Sequence, residues 1–183
     1  AGVDIIVAQG HEAGGHTGKI ANFVLIPEIV DAIAPTPVVA AGGIADGRTL
    51  AAALSLGAIG VWVGTAFLFA KECAIPKQFL QGLIRGTTGD FVISKAFTGK
   101  TARGYKTPVK ETWEQSGLEP LPMPLQQVLM DDFSASAFAA DRLDLLHYGA
   151  GQVAGRLFDV KPAKQIVDEM LQGALDQLQS FYN

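Results

Sequence analysis

At 183 residues, with 49% apolar residues and a mean hydropathy of +0.26, the chain is long and apolar enough to bury a core of its own, which excludes a disordered or low-complexity protein. A formal charge of −4, with lysines and arginines scattered singly, leaves no electrostatic footprint for a nucleic-acid backbone. The single cysteine, Cys73, excludes an internal disulfide and a two-thiol metal or redox site and fits a reducing, cytoplasmic setting, while the most apolar stretch, residues 58–70, is broken by Gly60 and Gly64 and is too short to span a bilayer.

In chain order, residues 4–10 (DIIVAQG), 37–43 (PVVAAGG) and 60–65 (GVWVGT) are short Val- and Ile-rich runs carrying glycine at or beside their ends, the pattern of buried parallel strands. The first run opens almost at Ala1 with no methionine before it, so the expectation is a piece of a longer protein. Between the first two runs, Pro27 suits a first helical turn, and Ile29, Val30 and Ile33 share a face. Between the second and third, Asp46 caps a helix that runs through Leu56 and stops at Gly57. Strand and helix alternating at these spacings predict an α/β fold, the C-terminal part of a (β/α)8 TIM barrel contributing about its last three strands. A barrel of that kind needs about 250 residues, which places five strands upstream of Ala1.

Beyond Thr65 the pattern changes. Residues 75–85 predict a helix, 91–97 a short edge strand, and Thr98-Gly99-Lys100 a turn, followed by a connection rich in proline. Helices are expected over 125–133, 135–148 and 162–181, the last with Ile166, Val167, Met170, Leu171, Ala174, Leu175, Leu178 and Phe181 along one stripe. The expected organisation is therefore a barrel segment over 1–85, a mostly helical cap or substrate segment over 86–155, and a C-terminal helix over 156–183 packing back on the barrel.

Three glycine clusters fall at strand ends, where barrels place ligand groups. In the first, GHEAGGHTG, Gly14 and Gly15 let backbone approach a planar ligand, and His16 offers an imidazole that can hold a proton near neutral pH. The bland alternative is a glycine-rich surface loop with two incidental histidines; its position after a strand, with two phosphate-type turns downstream, favours function. Those turns are Gly42-Gly43, entering a helix start, and Gly64-Thr65, where amides and a hydroxyl can hold an anion. Neither contains Lys or Arg, so binding would rest on backbone dipoles. Glu12 reads as a structural hydrogen-bond partner in its loop, His11 and His147 as packing or solvent-facing residues, and Cys73 as inert; no metal set is expected.

The segments AQGHEAGGHTG, VVAAGGIADGRTLAAALSLGA, GVWVGTAFL, AFTGKTAR and GAGQVAG together resemble the nitronate monooxygenases, formerly called 2-nitropropane dioxygenases, over almost the whole chain. GGH and AGGIADG also occur in the related flavin-dependent enoyl-acyl-carrier-protein reductases. The resemblance implies non-covalent FMN, no metal, and oxidation of alkyl nitronates or nitroalkanes with O2, in a chain that could form a homodimer. It makes His16 the catalytic residue, as base or as stabiliser of the anionic nitronate. Gln9, Gly14 and Gly15 would contact the isoalloxazine or ribityl part, and Gly42, Gly43, Gly64 and Thr65 the phosphate. Gln152 is either a substrate contact from the cap side or part of a junction that needs small residues. Two alternatives stand beside this: an NAD(P)H-dependent flavin reductase of a quinone or an enoyl thioester, and a phosphometabolite-binding or inactive barrel remnant.

Overall fold

The protein is described here as a computed structural model covering residues 2–181; Ala1, Tyr182 and Asn183 lie outside the described residues, and with them the two ends of the expected segments 1–85 and 156–183. The chain's contacts divide it into two units, one drawn from Ala1–Ala13, Thr17–Ala74 and Asp159–Asn183, the other from Gly14–His16 and Ile75–Phe158. This differs from the division expected from sequence: the helix over 75–85 and the short segment carrying Gly14, Gly15 and His16 belong to the second unit. No helix among the described residues is long and apolar enough to cross a membrane.

The first unit is built on a three-stranded parallel sheet of β1 (Ile6–Gln9), β3 (Val38–Ala41) and β4 (Gly60–Trp62), in that spatial order. The three strands are those expected, each shorter than the run that announced it. Helices α1 (Asn22–Ile33) and α2 (Gly47–Ser55) form the crossovers, and α6 (Ala163–Gln179) packs on α2. Between them Ile26, Ala40, Ile44, Leu50, Ala51, Ala53, Ala58, Met170 and Ala174 make one buried cluster. Helix α2 starts as its sequence dictates: the Asp46 carboxylate accepts from the Thr49 N–H at 2.9 Å, and the Thr49 hydroxyl oxygen accepts from the Asp46 N–H at 3.1 Å.

Two expectations are corrected in this unit. Helix α1 begins at Asn22 rather than at Pro27, which lies inside it. The N–H that proline lacks would have met the carbonyl of Phe23, a residue that is 75% exposed, so the ring costs less there than in a buried turn. On α6, Met170 and Ala174 are buried, whereas Val167, Leu171 and Leu175, like Phe181 just past its end, are exposed. The helix meets α2 along a narrow line set by Gly47 and Gly173, so only part of its apolar stripe is covered.

The second unit combines helices with a small sheet. It carries an antiparallel sheet in the order β2 (Gly15–His16), β6 (Ala102–Tyr105), β5 (Phe91–Ser94). Neither β2 nor β6 is expected from sequence. β6 contains Arg103, buried in the sheet and satisfied by donating from Nη1 to the Phe91 carbonyl at 2.6 Å. The proline-rich stretch holds helix α4 (Pro108–Ser116), with the Thr107 hydroxyl accepting from the Lys110 N–H, Pro108 in the first turn and Gly117 left-handed at its end. Helix α3 (Lys77–Arg85) precedes the sheet; after α4 a single helix α5 (Leu125–Ala139) runs through Ser134, where two helices were expected, and residues 143–145 form only a 3-10 turn.

Candidate active site

The first unit brings the carboxyl ends of its three strands side by side. Pairing places Gln9 opposite Ala41 and Ala41 opposite Trp62, so Gln9 closes one strand of a row whose next residues are the Gly10, Gly42 and Val63 positions. The strands alternate faces: Ala40 and Val61 turn into the core with the helices, while Val7 and Trp62, 42% and 65% exposed, stand on the opposite face with Gln9.

Gly42 and Gly43 both adopt left-handed backbone, φ +94° and +71°. A Cβ on Gly42 would lie 2.9 Å from that of Ala13, so the turn is glycine for conformation and for close approach of the loop after β1. Asn22 secures this arrangement. Its buried side chain donates to the Gly42 carbonyl, and its backbone N–H donates to the two Glu12 carboxylate oxygens at 3.2 and 3.3 Å. Glu12 therefore caps α1 from a distance, since Ala21 at the cap position has no side-chain acceptor. The donors at the start of α2 are largely spoken for: Ala45 and Asp46 donate to the Thr49 hydroxyl and Thr49 to Asp46. An anion at this turn would thus rely on the glycine amides more than on the helix start.

Gly64 differs from the other glycines. Its φ of −109° is open to any residue, and a Cβ there would meet nothing within 4 Å. Neither conformation nor packing among the described residues demands glycine at that strand end. Thr65 follows it, half-buried, at the start of a 3-10 helix, Thr65–Phe69.

In the second unit, Gly14, Gly15 and His16 lie against β6 and the 149–151 backbone. Gly15 pairs with Arg103 and His16 with Ala102. A Cβ on Gly14 would fall 2.5 Å from the Ala150 carbonyl carbon and the Gly151 nitrogen, so only glycine fits. Gly15 has φ +70° and nothing within 4 Å of an added Cβ, leaving its backbone bare on that side. Gln152 opens the 3-10 helix Gln152–Arg156, immediately after the two residues that press on Gly14. The small residues of the 149–155 segment thus have a packing reason.

The His16 side chain is exposed, and its Nε2 lies 3.0 Å from the Thr98 hydroxyl oxygen. Thr98 is a functional candidate that sequence reasoning missed: it lies in the AFTGKTAR segment, but 82 residues separate it from His16. His147, in the same unit, is pushed down to about 4 by burial, with Lys110 and His16 adding to the shift, so it is neutral at neutral pH. Burial also pulls Lys110 down to about 8; its ammonium donates to the Tyr105 carbonyl at 2.6 Å. His11, by contrast, stays in its own loop, its Nδ1 3.2 Å from the Gly18 carbonyl oxygen. No cluster of three or more His, Cys, Asp and Glu residues able to hold a metal occurs among the described residues.

The model of the nitronate monooxygenase family matches residues 1–173. The chain belongs to the nitronate monooxygenase family. The segments containing His16, Gly42-Gly43, Gly64-Thr65 and Gln152 all fall inside the match. A putative monooxygenase of Mycobacterium tuberculosis is 45% identical over 183 residues, covering 96% of this chain and 49% of the relative. Among solved structures, FabK from Thermotoga maritima superposes with a TM-score of 0.86 at 32% identity, covering 99% of this chain and 57% of that one. A nitroalkane oxidase from Streptomyces ansochromogenes gives 0.87 at 28% identity, covering 98% and 54%. The chain spans about half the length of the curated relatives it matches. Its fold is α/β and resembles that of these enzymes over nearly all its residues.

Proposed function

We propose that the protein is an FMN-dependent oxidoreductase that oxidises alkyl nitronates with molecular oxygen, with His16 as the catalytic base or anion stabiliser. In this reading the parallel sheet is the last part of a (β/α)8 barrel, and the exposed Val7 and Trp62 stand on the face that a closed barrel turns inward. The observation that carries the proposal is the exposed imidazole of His16, held by a paired strand and a hydroxyl, inside a segment matched by the nitronate monooxygenase family.

Within each unit taken by itself, the residues present fit part of a flat cofactor bearing a phosphate. In the second unit Gly15 leaves open space where a Cβ would stand; in the first, Gly64 does the same and Gly42-Gly43 offers a left-handed turn at a strand's carboxyl end. Gln9, Gly14 and Gly15 would hold the ring and ribityl part, and Gly42, Gly43, Gly64 and Thr65 the phosphate, through backbone amides and the Thr65 hydroxyl. Bound FMN would supply the redox step, taking electrons from the nitronate and passing them to oxygen. The chain's own part is to orient the substrate and to manage one proton: His16 accepts it from the carbon of a neutral nitroalkane, or its imidazole N–H bonds the nitronate oxygen. Gln152 would contact the substrate from the cap side.

The likeness to FabK favours a second reading, an NAD(P)H-dependent flavin reductase of an enoyl thioester or a quinone. Flavin absorbance of the purified complete polypeptide, followed by mixing with nitronate or with NADH in the absence of oxygen, separates the two. Bleaching by nitronate supports oxidation of nitronates; bleaching by NADH alone moves the protein to the reductase reading; a colourless protein defeats both.

A further inference from the structure

We infer that Thr98 is a positioning residue that holds neutral His16 with its proton on Nε2, so that Nδ1 is the ring nitrogen that accepts a proton. The inference rests on the proposed reaction for its meaning and on three distances for its argument. The Thr98 hydroxyl oxygen lies 3.0 Å from His16 Nε2, 3.0 Å from the Lys100 carbonyl oxygen and 3.3 Å from the Lys100 backbone nitrogen.

A threonine hydroxyl has one proton to give and two lone pairs to receive. The Lys100 N–H can only donate, and the Lys100 carbonyl can only accept. If the hydroxyl donates to that carbonyl, its two lone pairs take the Lys100 N–H and a His16 Nε2–H, and all three contacts are satisfied at once. If it donates to the imidazole instead, two acceptors compete for one proton and the Lys100 carbonyl loses this partner. The first arrangement is the only one in which every contact is a hydrogen bond, and it requires the Nε2–H tautomer.

The same arrangement suits a proton acceptor. When Nδ1 gains a proton the ring still donates from Nε2 to the same oxygen, so neither the hydroxyl nor the ring must turn during the transfer. Donation from Thr98 to Nε2 would have occupied that lone pair and left N–H on Nδ1, a ring able to bond a nitronate oxygen but unable to take a proton. For the neutral ring the geometry therefore selects the base role over the anion-stabilising one.

Thr98 is well fixed for this task. The preceding Ala96 and Phe97 are buried with Met130, and the Ala96 carbonyl accepts from the fully buried Gln126 side chain at 2.6 Å. On the other side, the Gly99 N–H donates to the Lys95 carbonyl at 2.8 Å, and Gly99 takes φ +74° with the Leu121 carbonyl against its missing Cβ. His16 is held independently by its pairing with Ala102. Hydroxyl and ring are thus presented by two parts of one sheet and its adjoining loop.

The test uses the complete polypeptide with 15N-labelled histidine, the His16 signals being assigned by their loss in His16→Gln. Long-range proton–nitrogen correlation should show a protonated Nε2 and a bare Nδ1, retained in Thr98→Ser and lost or mixed in Thr98→Val. Turnover gives a second readout, because a nitroalkane must surrender its proton and a nitronate has already done so. Thr98→Val should slow the neutral nitroalkane about tenfold or more, leave the matching nitronate within about threefold, and be rescued in Thr98→Ser. A proton found on Nδ1 of the wild-type ring, or an equal loss with both substrates, overturns the inference. The spectrum is read without turnover, so an Nε2–H signal lost in Thr98→Val upholds the inference even if nitronate is not oxidised, and only the proposed reaction then falls.

Discussion

Gly47 and Gly173 meet backbone to backbone where α2 crosses α6: a Cβ on Gly47 would fall inside the Gly173 carbonyl region, whereas one on Gly173 would lie 3.4 Å from the Gly47 Cα, an ordinary contact. The two glycines are therefore not equivalent. Gly47→Ala should force the helices apart and cost on the order of 2 kcal/mol. Gly173→Ala should be neutral or stabilise by up to about 1 kcal/mol, since a mid-helix glycine gains roughly that much propensity on becoming alanine. Thermal or urea unfolding of the two variants checks the asymmetry; equal losses would contradict this packing.

Asn22 should matter to the cofactor as well as to the fold. Its buried side chain is what joins α1 to the Gly42 turn, and its Oδ1 has no hydrogen-bond partner of its own. Asn22→Ala is expected to cost about 1–3 kcal/mol through the unsatisfied Gly42 carbonyl and to loosen the turn assigned to the phosphate. Flavin retained through gel filtration should fall together with melting temperature.

Gly64 and Gly14 make opposite predictions. Gly64→Ala adds a methyl group to open space at a permissive φ, so unfolding free energy should change by less than about 0.5 kcal/mol while flavin affinity drops. Gly14→Ala drives a methyl group into the Ala150 and Gly151 backbone and should lower stability directly. A Gly64→Ala protein that keeps its flavin at wild-type affinity would remove Gly64 from the cofactor site.

Acid should unfold the protein partly through His147. Its folded value is about 4 against about 6.5 unfolded, so the unfolded state binds the extra proton between those limits, and stability falls as pH drops through that window. The slope from this group is at most about 1.4 kcal/mol per pH unit, and His147→Gln should flatten it. Lys110 works at the other end: with a folded value of about 8, the unfolded chain holds the extra proton between there and about 10.5, and stability rises across that range. Lys110→Met should abolish the rise.

How far these features could be read from sequence depended on where their partners lie. The parallel strands were visible because each is a short Val- and Ile-rich run beside glycine, and α2 because Asp46 and Thr49 reciprocate within one turn. The strand Gly15–His16 was not, since it has no apolar pattern and exists only through pairing with Ala102 and Arg103, more than 80 residues away. Arg103 itself disguised β6, because a buried arginine in a strand is explained only by the Phe91 carbonyl it meets. Helix α4 did carry a local signal, Thr107-Pro108 at one end and Gly117 at the other, overlooked amid neighbouring prolines. For the site, the glycines and His16 were legible as types at strand ends. The residues that hold them, Asn22 and Thr98, were not, because each acts on a backbone or ring distant in sequence.

The central claim is that His16 performs the proton work of a flavin-dependent oxidation of nitronates, and anaerobic reduction of the flavin tests it most directly. The complete polypeptide and its His16→Ala variant would each be mixed with neutral nitroethane, with its nitronate and with NADH while the flavin absorbance is followed. Bleaching by both nitro compounds in the wild type, with the nitroethane rate slowed by on the order of a hundredfold or more in His16→Ala, the nitronate rate within about threefold and flavin still bound, is the predicted result. Bleaching by nitroethane at the same rate in both proteins, or by NADH alone, would contradict it.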